Sequence, residues 1–176
     1  PDRGAISLAG PHRTYAELEA RSNRLAHWMK ARGVGAGQHV GLYMQNGFEY
    51  MEGTLAAYKI RAVPINVNFR YVADELRYLF DDADLVGVIH QRRYAGPIAE
   101  VLPDLPLLGW RLPVEDGSDE DLGAVDAESY EEALAAPSPV REFGHRPSEP
   151  PVLPSHESPT DMPTGGWRPQ AQPVSV

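Results

Sequence analysis

The sequence predicts an α/β fold: a Rossmann-like, mostly parallel sheet with helices on both faces, followed by a proline-rich tail that is extended or disordered. Three observations carry this. Short apolar runs alternate with longer stripes at helical spacing between about residues 40 and 110, the pattern of strands joined by crossover helices. The run Leu85-Val86-Gly87-Val88-Ile89 is unbroken in its apolar character, as a strand covered on both faces requires. The last 40 residues hold ten of the chain's 17 prolines, so neither a helix nor a central strand can run far there.

Taken in order, Ile6 to Leu8 reads as a short strand closed by a Gly10-Pro11 turn. Thr14 and Glu17 form a Thr-x-x-Glu capping box ahead of Tyr15, Leu18, Leu25, Ala26 and Met29 at helical spacing. That helix should stop near Gly33, because glycine accepts the left-handed conformation that ends helices. Val40 to Met44 is the next strand. Phe48, Met51, Leu55 and Tyr58 mark a helix ending near Arg61, and Val63 to Ile65 is a strand after it. Val72, Leu76, Leu79, Phe80 and Ala83 mark a third helix, followed by the buried strand at Leu85 to Ile89. Tyr94, Ile98, Val101 and Leu102 mark a fourth helix, ahead of a strand at Leu107 to Trp110. A short helix spans Glu128 to Ala136, supported by Tyr130 and Leu134. The domain division expected is therefore 1–136 for the folded part and 137–176 for the tail.

At 176 residues and 42% hydrophobic content, the chain can bury one core. No apolar run approaches the roughly 18 residues of a membrane span, and Pro1-Asp2-Arg3-Gly4 lacks the basic start and apolar stretch of a signal peptide. The chain opens on Pro1 rather than Met, as expected of one that begins inside a longer protein. Cysteine is absent, which excludes disulfides, thiolate ligands and cysteine nucleophiles and fits a reducing compartment. A cytoplasmic location is the expectation. The formal charge of -9 is local: residues 114–140 contain nine Asp and Glu and no Lys or Arg, leaving 16 acidic against 16 basic residues elsewhere. Such a block argues against nucleic acid and anionic membranes as partners and reads as a solvated loop.

Each candidate motif has a plainer structural explanation. Gly33-Val34-Gly35-Ala36-Gly37 ends a helix and leads into a strand, the reverse of a phosphate loop, which follows a strand and opens a helix. Thr164-Gly165-Gly166 resembles the start of a glycine-rich nucleotide loop, but no lysine follows. The only lysines, Lys30 and Lys59, lie on predicted helices and read as solvated. The six histidines lack the close pairing of zinc sites. His90, at the carboxyl end of a buried strand, is the best placed of them for function, with a hydrogen-bonded structural role the expectation. Asp81, Asp82 and Asp84 lack the glycine and spacing of a calcium loop. Ser7, Ser22 and Ser118 lie in no strand-turn-helix elbow. The stripe Phe48, Met51, Leu55, Tyr58 is expected to be core. No catalytic, cofactor-binding or metal residue is assigned.

The order of local motifs nevertheless carries a resemblance. Pro1-Asp2-Arg3-x-Ala5, Thr14-Tyr15-x-x-Leu18, Ser22-Asn23-Arg24-Leu25-Ala26, Gly33-Val34-x-x-Gly37-x-x-Val40, Val63-Pro64-Ile65-Asn66, Asp74-Glu75-Leu76 and Asp81-Asp82-Ala83 follow one another at expected spacings over about residues 1–143. Together they resemble the amino-terminal part of acyl-CoA synthetases, members of the adenylate-forming, AMP-binding ligase superfamily. Asn66-Val67-Asn68-Phe69-Arg70-Tyr71 is more similar to bacterial fatty-acyl or medium-chain members than to peptide-synthetase domains.

The resemblance implies that the whole enzyme joins a carboxylic acid to ATP, with Mg2+, and transfers the acyl group to coenzyme A. It also implies that the phosphate loop ending in Pro-Lys-Gly, the acidic magnesium and ribose residues, and the lysine-bearing C-terminal domain lie downstream. Gly144-His145-Arg146-Pro147-Ser148-Glu149-Pro150-Pro151 stands where that loop should begin. The expectation is an N-terminal fragment from a truncated or frame-shifted gene, without ligase activity alone. Its partners would be the missing remainder of the ligase or a second copy of itself. A non-catalytic interaction module acting through the tail, and one half of a split ligase, remain alternatives. A dinucleotide-binding domain is disfavoured because no Gly-x-Gly-x-x-Gly follows a predicted strand.

Overall fold

The computed structural model describes residues 2–8, 10–123, 125 and 128–143. The predicted loop at Thr164-Gly165-Gly166 and most of the proline-rich segment lie outside the described residues.

A two-stranded antiparallel hairpin, β1 (Gly4–Ser7) and β2 (His12–Thr14), precedes the main sheet. The sequence reading has only a turn where β2 lies. Three polar residues carry no alternation of apolar side chains to mark them as a strand. Thr14 then caps α1 (Tyr15–Ala31): its hydroxyl accepts from the Glu17 N–H at 3.2 Å, and the Glu17 carboxylate accepts from the Thr14 N–H at 2.8 Å. This satisfies two backbone donors that a helix start otherwise leaves bare. Gly33, at φ +86°, closes the helix as expected.

The main sheet contains β3 (His39–Tyr43), β4 (Val63–Asn66), β5 (Leu85–Gln91) and β6 (Trp110–Val114), in the order β4-β3-β5-β6 and parallel throughout. Between the strands run α2 (Phe48–Lys59), α3 (Ala73–Asp82), and, after a 3-10 turn at Arg92–Tyr94, α4 (Ala95–Val101). A final short helix, α5 (Tyr130–Ala135), begins at the capping box formed by Ser129 and Glu132. Helices α1, α2 and α5 cover one face around Leu25, Met29, Leu42, Ala56 and Leu112. Helices α3 and α4 cover the other around Ile65, Leu76, Leu79, Phe80 and Ile98. A Rossmann-like parallel sheet with helices on both faces is thus what the chain forms.

Several details differ from the sequence reading. Strand β6 starts where the predicted strand ends: Leu107 is 57% exposed, while Leu112 and Val114 are buried. Pro113 lies inside β6, which is tolerable because β6 is an edge strand of this sheet. Helix α2 does not bury its predicted stripe. Met51 is 38% exposed, and Phe48, Leu55 and Tyr58 are half-buried, whereas Glu52, Gly53, Ala56 and Ala57 are buried. The reason is close approach to the sheet: a Cβ on Gly53 would stand 2.9 Å from Leu42 Cδ2 and 3.2 Å from Ile89 Cδ1. Only small side chains fit there. Tyr15 and Val72, expected in the core stripes of α1 and α3, are 60% and 62% exposed because each stands at its helix's opening.

Candidate functional site

Strand order alone points to one edge of the sheet. The chain places β4 on one side of β3 and β5 on the other, so the connections diverge between β3 and β5. In open parallel sheets ligands bind outside the carboxyl ends of the strands at such a point. Here those ends carry Tyr43 and His90, which are direct partners in the β3–β5 register.

His90 is fully buried. Its Nδ1 lies 2.9 Å from the Gln91 carbonyl oxygen, an arrangement that requires the neutral ring to donate from Nδ1 and leaves Nε2 as an acceptor. Nε2 has no hydrogen-bond partner among the described residues. Burial pushes the His90 pKa down to about 4, against the opposing pull of the Gln91 carbonyl; Arg111 pushes it further down and Asp116 pulls it up. The ring is therefore neutral at pH 7.

Around it the edge is tied together by specific contacts. The Tyr43 ring stacks on Tyr94 at 4.4 Å, and its hydroxyl donates to the Tyr71 carbonyl at 2.7 Å. Burial raises the Tyr43 pKa, which keeps that hydroxyl protonated. The Gln45 N–H donates to Gln91 Oε1 at 3.1 Å. Asp116 accepts from Ser118 Oγ at 2.6 Å and from Arg93 Nε at 2.5 Å. Burial raises its pKa, but these bonds outweigh it and hold the carboxyl down to about 2. The edge is closed by internal bonding, and His90 contributes a buried acceptor rather than a reactive base.

A second polar cluster lies beneath α1. Glu52, wholly buried on α2, accepts from Arg21 Nε at 2.7 Å and from the Tyr130 hydroxyl at 2.9 Å. Arg21 also forks onto Glu131 at 2.6 and 3.0 Å. Nearby, Lys59 Nζ meets Glu19 Oε2 at 2.8 Å, Ser22 Oγ at 2.8 Å and Asn23 Oδ1 at 2.7 Å. Desolvation lowers the Lys59 pKa and the Glu19 contact opposes it.

These placements decide the remaining candidates. An ammonium has three donors, and those of Lys59 are all directed at protein oxygens, leaving none for a phosphate. Lys59 is thus a half-buried structural cation rather than the solvated one expected. Lys30 sits over the Phe143 ring at 5.7 Å. Ser22 is buried and donates to the Leu18 carbonyl at 2.6 Å, and Ser118 bonds Asp116. Neither is positioned as a nucleophile, and Ser7 is an exposed residue of β1. Asp81, Asp82 and Asp84 are exposed at the end of α3, and no cluster of three metal-ligating side chains occurs among the described residues. Neither Lys59 nor the exposed aspartates of α3 are arranged to hold ATP and its magnesium. The sequence reading missed Glu52; the small residues Gly53, Ala56 and Ala57 beside it were the available sign that this face of α2 is the buried one.

The family model described as AMP-binding enzyme matches residues 1–162, beyond the 1–143 over which the resemblance is read from sequence. A 3-oxocholest-4-en-26-oate–CoA ligase from Rhodococcus rhodochrous is 48% identical over 149 residues, 85% of this chain and 27% of the relative. The medium-chain acyl-CoA ligase Mig from Mycobacterium avium is 40% identical over 188 aligned positions, 96% of this chain and 33% of the relative. The crystal structure of apo MatB from Rhodopseudomonas palustris superposes with a TM-score of 0.78 at 25% identity, covering 95% of this chain and 32% of that one. The chain spans about a quarter to a third of the length of these curated relatives. No helix among the described residues is long and apolar enough to cross a membrane.

Proposed function

Because the chain belongs to the AMP-binding enzyme family, we propose that it supplies the scaffold on which an acyl-CoA ligase for lipid carboxylic acids is built. It corresponds to the amino-terminal part of acyl-CoA ligases. The observation that carries the proposal is the 48% identity with a ligase named for a steroid side-chain acid. Among its other relatives, one is named for medium- and long-chain fatty acids together with the same steroid acid, and one for medium-chain acyl groups. A carboxylate on a large apolar body is the chemistry these names share.

In this reading the whole enzyme uses ATP, Mg2+ and coenzyme A, and the residues described here hold the sheet rather than the reactants. Supporting this, Lys59 is saturated by protein oxygens and His90 is sealed within the core. The test is acid-dependent exchange of labelled pyrophosphate into ATP by the 176-residue chain, offered octanoate, palmitate or 3-oxocholest-4-en-26-oate with Mg2+. The expected result is no exchange above a protein-free control. Exchange that depends on the acid would show that the chain carries adenylating residues of its own.

A further inference from the structure

Helix α2 is apolar on the side that faces away from the sheet. Its inner side carries Glu52, Gly53, Ala56 and Ala57, all buried. At about 100° per residue the opposite side falls to Met51, Thr54, Leu55 and Tyr58. Met51 is the most exposed residue of the helix, and the other three are half-buried. Thr54 adds little polarity, because its hydroxyl donates to the Tyr50 carbonyl at 2.8 Å and is spent on its own helix.

None of the charged side chains of α2 serves this outer side. Glu52 is buried against Arg21 and Tyr130, Lys59 is bound to α1 through Glu19, Ser22 and Asn23, and Glu49 lies half-buried in the first turn. Helix α3, on the other face of the sheet, shows the contrasting pattern: Asp74, Glu75, Asp81 and Asp82 are exposed, with Leu76, Leu79 and Phe80 buried. A helix that is apolar on both sides belongs to the interior of a larger protein.

Position and size say what covers it. Helix α2 leads into β4, an edge strand of the sheet, so it stands at the margin of its face. Its 12 residues make a helix about 18 Å long, and a stripe about 10 Å wide along it offers roughly 180 Å². Each partner of a stable complex of free proteins buries about 800 Å². A second copy of the chain therefore gains too little there to stay. A segment belonging to the same ligase needs far less area, since tethering supplies an effective concentration in the millimolar range. The relatives have the length to supply one, for this chain spans 27% of one and 33% of another.

We propose that the outer side of α2, centred on Met51 and Leu55, is the surface on which an apolar-faced helix docks from the part of the ligase beyond this chain's match. The proposal rests on the reading of the chain as a ligase scaffold and adds where that scaffold is joined.

The test is photochemical. p-Benzoylphenylalanine replaces Met51 in the 176-residue chain and in a chimera that carries residues 1–143 within the Rhodococcus rhodochrous ligase. The same replacement at Asp82, on the charged side of α3, is the control. Irradiated samples are digested and the joined peptides identified by mass spectrometry. The expected result is that position 51 of the chimera joins a peptide of the ligase's own portion at least tenfold more than position 82 does. Yields equal to the control would overturn the proposal, as would cross-links between two copies of the 176-residue chain. The aligned position of the unaltered Rhodococcus ligase gives the same two outcomes if the chimera does not fold. The scaffold reading is judged separately: a folded chimera that forms thioester without the cross-link counts against the docking alone, and one that cross-links without forming thioester counts against the scaffold alone.

Discussion

The Tyr130 hydroxyl donates to the Glu52 carboxylate at 2.9 Å inside the protein, joining α5 to α2 across 78 residues of sequence. Burial raises the Tyr130 pKa, and the Glu52 charge raises it further, so the phenol remains a donor at any physiological pH. Arg21 completes the triad from α1. Three helices on one face of the sheet are thus keyed to one buried carboxylate.

Removing Glu52 leaves a buried arginine nitrogen and a buried phenol without their acceptor. Glu52→Ala should lower the unfolding free energy by about 3–5 kcal/mol, and Tyr130→Phe by about 1–2 kcal/mol. Urea denaturation of the single and double variants checks this. Additive losses would show that the two residues are not coupled.

His90 gives stability a specific pH dependence. Its folded pKa is about 4, below the roughly 6.5 of an unfolded histidine. Above pH 6.5 the ring is neutral in both states and has no effect. As pH falls below 6.5 the unfolded chain takes up the proton first, so stability is lost, by about 2 kcal/mol at pH 5. The carboxylates held low by hydrogen bonds, Asp116 among them, act at lower pH, below their unfolded values near 4. Denaturation between pH 7 and 5 should therefore show a slope that His90→Gln removes. A wild-type slope surviving that substitution would refute the assignment.

Among the described glycines, Gly87 has the least room for a side chain. A Cβ there would stand 1.9 Å from Trp110 Cε2, so the indole ring would have to leave its place between β5 and α1. Gly87→Ala should cost about 3 kcal/mol or more, the upper end for overpacking. Gly33→Ala meets no such obstacle in space and is strained only by its φ of +86°, so it should cost about 1 kcal/mol. Thermal melts of the two variants test the difference.

The start of α1 offers a milder check. Thr14→Ala removes the hydroxyl that accepts from Glu17 N–H and should destabilise by about 1 kcal/mol. Thr14→Ser should restore most of it, read by the same melts.

These features differ in how plainly the sequence announces them. The capping box at Thr14 and Glu17, the glycine stop at Gly33 and the apolar run at Leu85 to Ile89 are local signals, and each forms the element expected of it. The register of β6 was hidden because Leu107 and Leu108 are apolar, while the true strand contains Arg111 and Pro113. The buried face of α2 was hidden for a related reason. Its contact with the sheet is made by Gly53, Ala56 and Ala57, which weigh little in an apolar stripe against Phe48 and Met51. Glu52 could not be read as buried at all, since its partners Arg21 and Tyr130 are brought to it only by the tertiary fold. The candidate edge was legible through His90 alone; Tyr43 reaches it from the end of β3, and Tyr94 and Asp116 from the chain that follows β5 and β6.

The central claim, that this chain is a ligase scaffold, is tested most directly by grafting. Residues 1–143 would replace the corresponding stretch of the Rhodococcus rhodochrous 3-oxocholest-4-en-26-oate–CoA ligase, with coenzyme A thioester formation as the measurement. The account predicts a folded chimera that forms the thioester within about tenfold of the parent enzyme, a cost of some 1.4 kcal/mol in barrier. A chimera that melts cooperatively yet makes no thioester would contradict it.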